Sequence, residues 1–99
     1  MNIRLSEAAW NDLLQIGRFI QAGNPARAET FVSELYQACR SLGALPLGYP
    51  ILAGYERAGI RKRSYRNYLI FYVVEDDTVQ ILHVLHGARD YQDILPGEE

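Results

Sequence analysis

The sequence predicts an α+β domain of two layers, a helical hairpin packed on a small, mostly antiparallel sheet, in the order β-α-α-β-β-β. Three observations carry that expectation. Apolar residues recur twice at helical spacing before Gly43. Runs rich in β-branched and aromatic residues begin only after Gly59. The linkers between those runs are short enough to force antiparallel hairpins. The helices' apolar stripes then need a sheet face to bury against, which gives two layers.

Asn2 to Leu5 alternates briefly and reads as a short edge strand. Ser6 is a good N-cap, and Glu7 suits the positive end of the helix dipole. Ala9, Trp10, Leu13, Leu14, Ile16 and Ile20 then mark a first helix of about four turns ending near Gly23. Asn24-Pro25 restarts the chain as N-cap and N1 proline. Ala28, Phe31, Val32, Leu35, Cys39 and Leu42 follow the helical period until Gly43 stops it. Trp10, Phe31 and Cys39 are expected in the core.

From Ala44 to Gly59 the chain carries Pro46, Gly48, Pro50 and Gly54, and reads as loop. Strands are expected at Ile60 to Tyr65, Tyr68 to Val74 and Thr78 to Leu85, joined by Arg66-Asn67 and Glu75-Asp76-Asp77. The middle strand is apolar throughout, as a strand covered on both faces should be. In the first, Arg61, Arg63 and Tyr65 share one face and Ile60, Lys62 and Ser64 the other, so one cationic row must point away from the helices.

The 99 residues are expected to form a single domain spanning 1–99. An apolar fraction of 48% with 22% charged residues fits a folded globular chain. No run is long and apolar enough to span a bilayer, and the opening lacks a signal-peptide core. With Cys39 as the one cysteine, no internal disulfide can form and a cytoplasmic location is expected.

The net charge of −2 argues against general nucleic-acid binding. Its distribution is uneven: five of the ten cations lie between Arg57 and Arg66. Nine of the ten are arginines, suited to planar contacts with carboxylate or phosphate. Acidic residues gather at Glu75, Asp76 and Asp77, and again at Asp90, Asp93, Glu98 and Glu99.

No Cys/His spacing suggests a metal site, and no cofactor is implied. His83 and His86, three apart on a strand, should face opposite ways; His83 reads as a satisfied sheet-face histidine. His86, beside Gly87 at a strand end, reads equally as structural or functional. The arginine run has a plain reading as a solvated edge that deters aggregation. As a whole it is favoured as a binding surface, because arginines beside tyrosines make good interface anchors. Arg89 and Asp90 could pair with each other or close the terminal turn.

The order of elements and several blocks together resemble the RelE/ParE superfamily of type II toxin–antitoxin toxins, and more closely its ParE branch. The similar blocks are LSEAAWNDLLQIGRFI, NPARAETFVSEL, LGALPLGYP, GIRKRSYRNYLIFYVV and VLHGARD, the last two being the most specific. The resemblance covers nearly the whole chain. It implies a RelE/ParE-like fold and a growth-arresting toxin held inactive by a cognate, ParD-like antitoxin. A ParE-type member would inhibit DNA gyrase and act by binding, without direct sequence-specific nucleic-acid contacts of its own. Its expected target-binding residues are Arg61, Arg63, His86, Arg89 and Tyr91; its expected antitoxin-binding residues are Arg57, Arg61, Lys62 and Arg66.

The alternative is a RelE-like, ribosome-dependent mRNA endoribonuclease. That reaction needs a base for the 2′-hydroxyl, cations for the phosphorane and an acid for the leaving oxygen. Lys62, His86, Arg89 and Tyr91 would be its catalytic residues, with Arg61, Arg63, His83 and Glu56 as further candidates. The chain departs from that branch in having a single lysine, and in following Tyr91 with the acidic segment QDILPGEE.

Overall fold

The computed structural model describes residues 1–95. Glu98 and Glu99 of the expected acidic tail lie outside the described residues. The elements are β1 (Asn2–Leu5), α1 (Glu7–Gln21), α2 (Pro25–Arg40), a 3₁₀ turn (Ser41–Gly43), β2 (Arg61–Tyr65), β3 (Tyr68–Glu75), β4 (Thr78–His86) and a second 3₁₀ turn (Tyr91–Asp93). The sheet order is β1-β4-β3-β2. Both hairpins are antiparallel, whereas β1 runs parallel to β4. The α+β, helical-hairpin-on-sheet architecture is the one the sequence predicts.

The helix starts follow their caps. Ser6 Oγ accepts the Ala9 N–H at 3.0 Å, and Asn24 Oδ1 accepts the Arg27 N–H at 3.1 Å. Each bond satisfies an otherwise orphan donor in the first turn. Leu13, Ile16, Phe31, Leu35 and Leu42 pack against Ile70, Tyr72, Val79, Ile81 and Val84 to form the core between helices and sheet. Cys39 is fully buried there, and burial pushes its thiol up to about 12.

The other sheet face is closed as well. Leu52, Tyr55 and Ile60 from the long loop, with Leu95 from the C-terminal segment, cover Phe71 and Leu85. The loop turns through Gly54 (φ 89°) and Gly59 (φ 73°), both in the left-handed region. Its backbone also pairs along β2: Leu52 N–H donates to Ile60 O at 2.8 Å and Lys62 N–H to Pro50 O at 3.3 Å. Apolar β3 is thereby covered on both faces, as expected, although half of its cover comes from loop.

Two features place the end of β4. Opposite β3, Tyr72 pairs with Ile81 and Phe71 with His83, which leaves Leu82 as a bulge residue. On the other side β1 stops at Leu5 while β4 runs on to His86. There α1 takes over the edge. Ser6 N–H donates to Ile81 O at 3.0 Å and Ser6 Oγ to Leu82 O at 2.8 Å. The Val84 N–H donates to Asp12 Oδ2 at 2.9 Å. Groups that a longer β1 would satisfy are met by the start of a helix instead.

One expectation needs correction. Trp10 is not in the core; it is 48% exposed and stacks on Tyr36 with ring centroids 5.6 Å apart. The apolar surface of α1 is wider than one sheet face can cover, so Trp10 and Leu14 are left on its outer flank and Phe19 protrudes from the other. Phe31 is buried as expected.

Candidate functional site

The arginine run divides by strand alternation. Arg61, Arg63 and Tyr65 lie on the helix side of β2, and all three are engaged within the protein. Arg61 donates from Nη1 to Tyr49 O at 2.6 Å. Arg63 donates from Nη1 to Ala38 O at 2.6 Å and to Ser41 Oγ, with its guanidinium 5.3 Å from the Tyr49 ring centre. Ala38 O is one of the last carbonyls of α2, where a cation satisfies an orphan acceptor and faces the negative end of the dipole. Tyr65 Oη donates to Glu34 Oε1 at 3.2 Å; Arg27, hydrogen-bonded to the same carboxylate, holds Glu34 below the usual carboxylate range.

The row pointing away from the helices contains one cation, Lys62, whose strand partner is Phe71 of the rear cluster. Arg66 turns the hairpin corner with φ 54°, its guanidinium 5.9 Å from the Tyr65 ring centre. Arg57 is in the long loop that precedes β2. The expected cationic surface is therefore dispersed. Arg61 and Arg63 tie β2 to its own protein, while Lys62 and Arg66 remain toward solvent.

The residues at the end of β4 form a better defined site. Tyr68, opposite His86 across the hairpin, supports the imidazole edge-on with ring centroids 5.3 Å apart. His86 Nδ1 accepts the Ala88 N–H at 3.1 Å, which turns Nε2 outward. Arg89 N–H donates to His86 O at 3.0 Å, closing the Gly87-Ala88 turn, and Asp90 Oδ1 accepts from Gln92 N–H at 3.2 Å. Arg89 thus closes the turn through its backbone N–H and Asp90 caps the Tyr91–Asp93 turn through its carboxylate; they form no ion pair with each other. His86 and Arg89 face a cleft of about 270 Å³ between α1 and β4, with Ile16, Phe19 and Val84 as its apolar walls. Asp12 stands at its inner end, its Oδ2 holding both Val84 N–H and His83 Nδ1, the latter at 2.8 Å.

His83 is accordingly a satisfied sheet-edge histidine. His86 has separate contacts, so the two do not work as a pair. Tyr91 is on the rear of the sheet, its ring 5.1 Å from Phe71 and 6.3 Å from Tyr55. Of the five residues expected to contact a target, the structure brings only His86 and Arg89 together. Phe19 was missed by sequence reasoning, although its place outside the helical apolar stripe was a usable signal.

A second candidate surface lies on the outer flank of the hairpin. Trp10, Leu13, Leu14, Val32 and Tyr36 line a groove of about 380 Å³, and Leu13, Leu14 and Val32 continue it past Gly17 toward Pro25. Leu14 is 58% exposed. Among the described residues no His, Cys, Asp and Glu stand together in a group that could hold a metal ion. No helix among them is long and apolar enough to cross a membrane.

Solved structures share this architecture. A chain of the chromosomal ParDE TA system from P. aeruginosa matches 87% of this chain and 95% of its own at 18% identity, TM-score 0.76. A chain of the RelBE2 toxin–antitoxin complex from Mycobacterium tuberculosis matches 86% and 95% at 25% identity, TM-score 0.65. A chain of the YoeB–YefM complex from Staphylococcus aureus matches 87% and 95% at 18% identity, TM-score 0.56. No curated protein sequence matches. These chains share the two-layer sheet-and-hairpin fold. Residues 3–91 match the family described as ParE toxin of type II toxin-antitoxin system, parDE, and the chain belongs to that family.

Proposed function

We propose that this ParE-family toxin acts by binding rather than by chemistry of its own, that its target is DNA gyrase in the cytoplasm, and that a cognate ParD-like antitoxin neutralises it. The observation that carries the reading is the separation of the groups a ribonuclease would need. Lys62 and Tyr91 lie around Phe71 on the rear face, whereas His86 and Arg89 face the α1 side. General acid and base must reach the same phosphodiester within hydrogen-bond distance, and the sheet stands between these pairs. The rear face itself is floored by Leu69, Phe71, Val73, Leu82 and Leu85, an apolar surface unsuited to a phosphorane.

Two observations support the antitoxin. The outer groove of the hairpin presents Trp10 and Leu14 to solvent in the manner of a surface that receives an amphipathic helix. The RelBE2 and YoeB–YefM structures that share the fold are toxin–antitoxin complexes. Lys62 and Arg66 would add contacts to an acidic antitoxin segment, with less from Arg61, which is already engaged.

The test places purified protein in a gyrase supercoiling and cleavage assay beside a ribosome-primed mRNA cleavage assay. Inhibited gyrase with intact mRNA is the expected result. Cut mRNA with unaffected gyrase overturns the reading and establishes the RelE-type alternative.

A further inference from the structure

We propose that the cleft between α1 and the end of β4 is a recognition pocket for a protein segment that presents a bulky apolar side chain next to a single carboxylate. This deepens the binding reading above and rests on it, naming the chemistry that the partner must offer at His86 and Arg89.

Size comes first. About 270 Å³ lies at or below the small end of pockets that enclose cofactors and drug-sized ligands, and suits one large side chain with its polar neighbour. The walls set the apolar half of the ligand. Ile16 and Val84 form the floor, and Phe19 stands over it 78% exposed, an aromatic with no partner in the described chain to explain its position.

Charge sets the other half. Arg89 is exposed at the rim, and among the described residues its guanidinium has no hydrogen bond or ion pair. The arginines on β2 and at its hairpin corner are, by contrast, engaged by a carbonyl or a ring. A free guanidinium beside an apolar floor matches a carboxylate carried next to an apolar side chain. Asp12 limits the anion. Its carboxylate forms the inner wall, with Oδ2 occupied by Val84 N–H and His83, and it opposes a dianion or a row of phosphates more than a lone carboxylate. A protein segment therefore fits better than a nucleic-acid backbone.

The experiment titrates the isotopically labelled full-length protein with two minimal probes, acetyl-Leu-Asp-amide and its neutral counterpart acetyl-Leu-Asn-amide, at millimolar concentrations. Backbone amide shifts are read by NMR. Expected are saturable shifts confined to Phe19, Val84, Leu85 and Arg89, with the neutral probe about tenfold weaker. Arg89→Gln should equalise the probes, and Phe19→Ser should weaken both. Arg89→Glu should reverse the preference toward acetyl-Leu-Lys-amide. Absence of saturable shifts at these residues, or equal affinity of both probes for the wild type, overturns the proposal. Because the readout contains no gyrase, its failure is distinct from failure of the gyrase reading.

Discussion

Replacing Arg63 with methionine separates a structural arginine from a functional one. The substitution keeps most of the apolar stem and removes the guanidinium. Beyond the exposed hydrogen bond to Ser41 Oγ, which water replaces, three contributions are lost: the charged hydrogen bond to Ala38 O, the favourable position at the C-terminus of α2, and the stacking on Tyr49. A hydrogen bond from a charged donor contributes about 1.5–3 kcal/mol. The dipole position adds about 0.3–1 and an exposed cation–π contact about 0.5–1 kcal/mol. Arg63 is half-buried, so solvent takes over part of each role and the lower ends apply, for a net loss of about 2 kcal/mol. In a domain near 100 residues that lowers Tm by roughly 8–16 °C. The assay is thermal unfolding followed by circular dichroism, paired with growth arrest on induction below the new Tm. The expected outcome is a lower Tm with growth arrest retained. An unchanged Tm together with lost growth arrest would refute the structural assignment and restore Arg63 to the target-binding surface.

Asp12→Ala should destabilise by about 2–4 kcal/mol, because it strands the Val84 N–H and a His83 nitrogen at a part-buried strand edge; chemical denaturation measures it. Cys39, whose thiol is pushed up to about 12 by burial, should resist a thiol reagent at pH 8 and react once guanidinium unfolds the chain. The folded state keeps that proton above the pH where the unfolded thiol has lost it, so stability should fall as pH rises from about 9 toward 12. Tyr68 and Tyr72, also raised by burial, add to the fall above about pH 10, and Cys39→Ala should flatten the earlier part of the curve. Leu14→Asp, on the exposed flank of α1, should leave Tm within a few degrees yet weaken antitoxin binding about tenfold or more by calorimetry.

The helices, hairpins and two-layer arrangement were legible because each rests on local signals: Ser6 and Asn24 as caps, Gly43 as a stop, and apolar periods that change from helical to extended. Tertiary choices were not. Alternation along β2 establishes that Arg61 and Arg63 share a face, but only the packing shows that this face meets the end of α2. A long Pro/Gly-rich segment has no period from which to read that Leu52, Tyr55 and Ile60 cover the rear of the sheet. The parallel pairing of β1 with β4 joins residues about 75 positions apart, beyond any short-range pattern. For the candidate site, His86 and Arg89 were visible at a strand end followed by Gly87. Phe19 and Asp12 belong to the same cleft only because α1 replaces β1 along the edge of β4.

The most direct test of binding without chemistry is a titration of gyrase with this toxin in the cleavage assay, following trapped cleavage complexes against molar ratio. Binding without chemistry predicts saturation near stoichiometric toxin, Arg89→Glu shifting the curve to higher toxin at unchanged Tm, and intact mRNA in parallel reactions with ribosomes. Complete mRNA cleavage by a few per cent of toxin relative to substrate, with no gyrase complexes at any ratio, would contradict it.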